Sequence, residues 1–211
     1  MVWLCLFAIL LITAETALAN RFPALLRNFR YQSLCLALLT LLAAYREGSA
    51  ELYIIAALLF SLKVLLIPRL FEVLIKRIGA SEQLGMFLNA QVSFLLVVGL
   101  GLIAWTFARQ VIPAPAYQAQ ATVGVACFVA LTGLFLMVSR IKALSQVIGL
   151  LLTENGVFLA ATVIPGGMPF FVEIALFFDI LVSVMILGLF VYRINAIFTH
   201  IDVSKLSGLR G

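Results

Sequence analysis

Charge is scarce in this chain: of its 211 residues, 11% are Asp, Glu, Lys or Arg and 64% are hydrophobic. A soluble domain carries about 25% charged and 45–50% apolar residues. There is one histidine, His200, so paired axial haem ligands are missing. The cysteines, Cys5, Cys35 and Cys127, stand alone in apolar runs with no CxxC or Cys/His spacing. They read as small packing residues and leave no zinc or iron–sulfur framework. No Gly-rich phosphate loop, nucleophile motif or metal-ligand cluster occurs. The expectation is a chain with no catalytic residue, no metal and no cofactor of its own. The net charge of +5 has no clustered basic surface behind it, so nucleic acid is not an expected partner.

Long apolar runs are what the sequence has in plenty, and its mean hydropathy is +1.20. Runs of about 20 apolar residues cross a bilayer as helices that satisfy their own backbone hydrogen bonds. The short alternating strands of a barrel are not seen. The pattern predicts an all-α integral membrane protein of about seven transmembrane helices, near 1–19, 31–46, 51–75, 86–108, 119–139, 144–163 and 170–193. The joints carry turn chemistry: Asn20 and Pro23, then Arg46-Glu47-Gly48-Ser49, then Pro113-Ala114-Pro115, then Pro165-Gly166-Gly167-Met168-Pro169. Ala17-Leu18-Ala19 resembles a signal-peptide cleavage site. The first helix lacks basic residues at its start and carries Glu15, so a retained anchor is expected.

Orientation follows from the basic residues. One set of helix ends holds Arg21, Arg27, Arg30, Lys76, Arg77, Arg140, Lys142, Arg193, Lys205 and Arg210, and the other only Arg46 and Arg109. This predicts an N-terminus outside and a C-terminus in the cytoplasm.

Most charges then fall at helix ends, Glu15, Arg69 and Glu72 among them. Lys63, Glu154 and Asp179 lie near helix midpoints, and Glu173 lies one turn into the seventh helix from the outer side. A charge at the bilayer centre costs about 2.5–3.5 kcal/mol even on the lenient insertion scale. Such residues must face protein or water and be paired or partly neutral. The plain alternative is a salt bridge that holds helices in register. The functional one is an ion path, since a buried carboxyl beside a movable cation loads and releases a proton. Ser61, Thr153, Asn155 and Ser183 are candidates to hold connecting waters.

The segment Gln146-Val147-Ile148-Gly149-Leu150-Leu151-Leu152-Thr153-Glu154-Asn155-Gly156 precedes Glu173-Ile174-Ala175-Leu176-Phe177-Phe178-Asp179. With the tail from His200 to Gly211 and the stretch Lys63-Val64-Leu65-Leu66-Ile67-Pro68, this resembles membrane component E of the hydrogenase-4 type. Such components accompany group 4 hydrogenases and formate hydrogenlyases. Residues 117–211 are similar to the K-type subunit of respiratory complex I and to the C subunit of Mrp-type antiporters, and residues 1–110 form an additional four-helix region. In the K-type subunit two membrane acids relay protons. Asp179 matches the second, whereas the first corresponds to Leu151, with Glu154 one turn on. A basic loop and a following Gln (Gln32, Gln146) also hint that the first three helices repeat the last three.

The resemblance implies a non-catalytic subunit that contributes Glu154, Asp179, Lys63 and Glu173 to proton or sodium translocation in a bacterial or archaeal cytoplasmic membrane. The implied partners are antiporter-like and quinone-site-like membrane subunits and a soluble hydrogenase holding a nickel–iron centre and iron–sulfur clusters. The alternatives are a subunit of an Mrp-type cation/proton antiporter with no redox module, and a structural bundle that holds larger pump subunits together.

Overall fold

The computed structural model describes residues 1–78, 89–163, Asp179, Val182 and Gly188, and among these there is helix but no strand. In chain order the elements are α1 (Val2–Leu18), α2 (Phe22–Glu47), α3 (Ala50–Leu59), a π-helical segment (Phe60–Leu66), α4 (Ile67–Ile78), α5 (Ala90–Val111), α6 (Tyr117–Ser139) and α7 (Ala143–Ala161). The π segment joins α3 to α4 without a break, so the three make one rod. That rod, α5, α6 and α7 are each long and apolar enough to cross a membrane; α1 is a shorter apolar helix. Of the expected seventh helix only Asp179, Val182 and Gly188 are described, and all three are helical. The rest of 170–193, including Glu173 and Ser183, lies outside the described residues.

The second helix departs from expectation at its start. Residues 20–30 read as a joint because of Asn20 and Pro23, yet α2 begins at Phe22 with proline in its first turn. A first-turn proline loses nothing, because the amide it lacks has no intrahelical acceptor. The helix ends where Gly48 turns left-handed at φ 66° and donates its N–H to Ala44 O, a closure that favours glycine. Between these ends α2 buries Asn28, Gln32, Ser33 and Thr40. It can do so because it packs against α1, α3, the π segment and α7, so its polar side chains meet protein.

The tightest pairing is α6 against α7, and glycine makes it possible. A Cβ on Gly156 would stand 2.6 Å from Ala130 N, and one on Gly149 would stand 2.7 Å from Gly133 O. Small residues at facing positions let two backbones approach where apolar side chains alone provide little drive. Thr153 Oγ1 adds an interhelical hydrogen bond to Ala130 O at 3.4 Å. By contrast α5, among the described residues, packs against α6 and α1 and leaves Phe94, Leu95, Leu102, Ile103, Trp105 and Phe107 exposed.

Side-chain contacts fix the relative directions of the helices. Arg140, in the bend after α6, donates from Nη2 to Ala17 O near the end of α1 at 3.1 Å. Arg27 pairs with Glu15 at 3.1 Å, and Arg30 with Glu72 at 3.1 Å. The end of α1, the start of α2, the C-terminal half of the rod and the α6–α7 bend therefore share one end of the bundle. That end holds most of the described basic residues.

Candidate functional site

Lys63 lies in the middle of the π segment, where Ile67 N–H bonds back five residues to Leu62 O. Short π segments inside α-helices occur frequently at functional sites. The lysine side chain is fully buried, although its residue type almost never is without a partner. Its Nζ donates to Glu154 Oε1 at 2.7 Å and to Asn155 Oδ1 at 3.1 Å, and stands 3.8 Å from Asp179 Oδ1. The two acidic side chains are 9% and 4% exposed. One ammonium thus faces two carboxylates inside the bundle. Glu154 Oε2 and Asp179 Oδ1 hold no hydrogen bond among the described residues.

The cluster continues into uncharged groups. Asn155 Nδ2 donates to Gln32 Oε1 at 3.1 Å and to Ser33 Oγ at 3.2 Å. Gln32 Nε2 donates to Thr13 Oγ1 at 2.8 Å, and that hydroxyl donates to Ile9 O at 2.6 Å. Both amides are oriented consistently, each oxygen taking a donor and each nitrogen meeting an acceptor. A polar chain therefore runs from the rod to α7, then to α2, then to α1. Buried polar networks are stable only when their members are satisfied, and from Lys63 to Thr13 this one is.

Of the residues singled out from the sequence, Lys63, Glu154 and Asp179 come together, and Asn155 joins them by direct contact with the lysine. Ser61 turns its hydroxyl to Leu58 O at 3.1 Å on the exposed side of the rod. Thr153 serves the α6–α7 contact. Leu151 is buried in the apolar core, so the charge at this level of α7 is carried by Glu154 alone. Gln32 and Gln146 do not occupy equivalent places: Gln146, in the first turn of α7, donates to Arg140 O at 2.9 Å, while Gln32 sits deep in α2. Thr13, Gln32 and Ser33 were not predicted as part of the site. Their only sequence signal was polarity inside otherwise apolar runs.

Arg140 was expected among the end charges, yet it is fully buried. Burial lowers its guanidinium from the ordinary arginine value to about 10, which leaves it charged at neutral pH. Nε and Nη1 hold no hydrogen bond among the described residues. The compensation is the setting: the C-terminal ends of α1 and α6 converge on it, and each carries a partial negative charge of about half an electron.

The fold and site define an all-helical bundle that encloses a charged cluster between helices long and apolar enough to cross a membrane. No family model matches the chain, and no solved structure matches it. It is similar to Uncharacterized protein Rv0085 of Mycobacterium tuberculosis (strain ATCC 25618 / H37Rv), 29% identical over 191 residues, covering 89% of this chain and 86% of that protein.

Proposed function

We propose that this chain is a multi-pass subunit of a bacterial or archaeal cytoplasmic membrane, with about seven spans, its N-terminus outside and its C-terminus inside, that moves protons or sodium ions through the Lys63 cluster. One observation carries the reading: among the described residues, a single buried ammonium is shared by two nearly buried carboxylates. If all three groups are ionised the cluster is one negative charge out of balance, and an uncompensated charge in a low-dielectric bundle is costly. A proton on one carboxylate, or a bound monovalent cation, restores neutrality. The same imbalance makes that proton or cation the exchangeable element. Interhelical glue requires one acid for one lysine, and the second acid is surplus to it.

The redox setting rests on the sequence resemblance to membrane component E. In that setting antiporter-like and quinone-site-like membrane subunits and a soluble hydrogenase, with its nickel–iron centre and iron–sulfur clusters, surround this chain. Glu154, Asp179 and Lys63 form the relay, with Glu173 leading from the outer side.

Two experiments test the reading. The first compares ion translocation by membrane vesicles carrying wild type, Glu154→Gln or Asp179→Asn; both variants are expected to assemble and fail to translocate. Normal translocation by both removes the ion path, and loss of assembly favours the structural bundle. The second is mild detergent purification of the tagged protein with mass spectrometry of what accompanies it. A nickel–iron hydrogenase large subunit is expected, whereas antiporter-type membrane subunits alone make the assembly an antiporter.

A further inference from the structure

At the end of the bundle opposite Arg140 lies a cavity of about 830 Å³, entered between the start of α1, the end of α2, the start of α3, the start of α6 and the end of α7. Its mouth is polar, with Arg46, Glu47 and Glu51 on its wall. Deeper in, Leu6, Leu39 and Leu159 line it. These leucines are in register with the polar chain. Leu6 is seven residues before Thr13 on α1, Leu39 seven after Gln32 on α2, and Leu159 four after Asn155 on α7. Steps of seven and four keep to one helix face, at about 1.5 Å of rise per residue. The cavity floor thus lies about 6–10 Å from the three uncharged members of the chain. The intervening layer is apolar: Ile9 and Leu36, both buried, occupy the turns between.

We infer that this cavity is the aqueous inlet of the Lys63 cluster: small cations enter between Arg46 and Glu51, cross the Ile9–Leu36–Leu159 layer, and meet polar groups again at Thr13, Gln32 and Asn155. The inference rests on the ion-conduction reading above and adds its route. Three features on the same line support it: a polar mouth, a thin apolar layer, and a satisfied polar chain beneath that ends on the shared lysine. An apolar constriction between two polar compartments gates by admitting or excluding water. Asn155 is then a positioning residue, since it holds the lysine on one side and the inlet chain on the other.

Labelling tests the route in an intact protein. Cys5, Cys35 and Cys127 are replaced by alanine, and Leu39→Cys is introduced in the native complex. Membrane vesicles with the α1 start facing the bath are exposed to a charged methanethiosulfonate under an imposed ion gradient. The label is expected on Leu39→Cys and is expected to lower translocation several-fold relative to the same vesicles before labelling. Tyr45→Cys, exposed at the same end and outside the cavity wall, is expected to react without effect. An unreactive Leu39→Cys, or a reacted one that conducts as before, overturns the inlet, as does an equal loss at Tyr45→Cys. Glu154→Gln, run alongside, keeps the two ideas separable. If it conducts normally, the charge cluster is not a relay whatever the label does. If it is inactive while labelled Leu39→Cys still conducts, the inlet alone falls.

Discussion

Glu154 and Asn155, consecutive on α7, both accept a hydrogen bond from the one nitrogen of Lys63, at 2.7 and 3.1 Å. Neighbouring helical residues point about 100° apart, so the ammonium must sit in the angle between them. The carboxylate supplies charge, and the amide links the lysine to α2 by donating to Gln32 and Ser33. This places the junction of the charged cluster and the neutral chain at a single atom.

Removing the cation should cost more than removing the whole cluster. Lys63→Met leaves two acids facing apolar surroundings, and breaking a buried pair from one side costs about 3–5 kcal/mol. The triple variant Lys63→Met with Glu154→Gln and Asp179→Asn is expected to be more stable than Lys63→Met alone. Thermal unfolding in one detergent compares them; equal melting temperatures would sink the claim that the lysine is held by charge.

Gln32 and Asn155 are expected to be coupled. Asn155→Leu strands Gln32 Oε1 without a donor, at a cost of about 1–3 kcal/mol for a buried unsatisfied group. Adding Gln32→Leu removes the stranded amide, so the double variant should lose less than the sum of the singles. A double-mutant cycle measures this, and strict additivity denies the hydrogen bond.

The glycines of α6–α7 give a contrast within one residue type. Gly156→Ala drives a methyl into the backbone of α6, and overpacking of this kind costs about 1–3 kcal/mol. Because Gly156 follows Asn155, the same change should also reduce translocation if the proposed ion path operates. Gly99→Ala in α5 meets nothing within 4 Å and should be neutral or gain up to about 1 kcal/mol in helix propensity. The melting temperatures of the two variants should move in opposite directions or differ by several degrees.

Arg140 offers a pH signature by its flatness. Its folded value of about 10 lies below that of an ordinary arginine, so the folded form binds fewer protons than the unfolded only once pH rises to about 10. The burial cost is constant below about pH 10 and eases as pH rises above it. Arg140→Met should therefore change stability by the same amount across the neutral range, where about 2 kcal/mol is the upper range for a cation at partly buried helix C-termini. Unfolding at several pH values checks this; a difference that varies near neutrality points to another group.

The parts of this architecture that are expensive were legible in the sequence. Lys63, Glu154 and Asp179 stand out because a midpoint charge in an apolar helix demands a partner, and they do share one. Thr13 and Gln32 cost far less to bury, so nothing in the sequence said which way they face. The start of α2 was hidden by Pro23, which ends helices in most positions and begins them in one. Arg140 was read as an interfacial charge because it follows a helix end, and only the convergence of α1 shows that it is enclosed. The π segment has no sequence signature at all. It is seen only in the folded rod, where it packs against α2.

The Lys63–Asn155–Gln32–Thr13 chain runs across the bundle from helix to helix, and that direction decides how it meets an electric field. A transmembrane potential acts along the bundle axis and is worth about 2.3 kcal/mol per elementary charge for each 100 mV crossed. Charge displaced sideways along the chain crosses little of that drop. The voltage must then fall on the axial steps, and the thin layer of Ile9, Leu36 and Leu159 is one place where it can concentrate. On the proposed ion path, transport should therefore depend on membrane voltage in proportion to the thickness of that layer, and little on the chemistry of the residues below it.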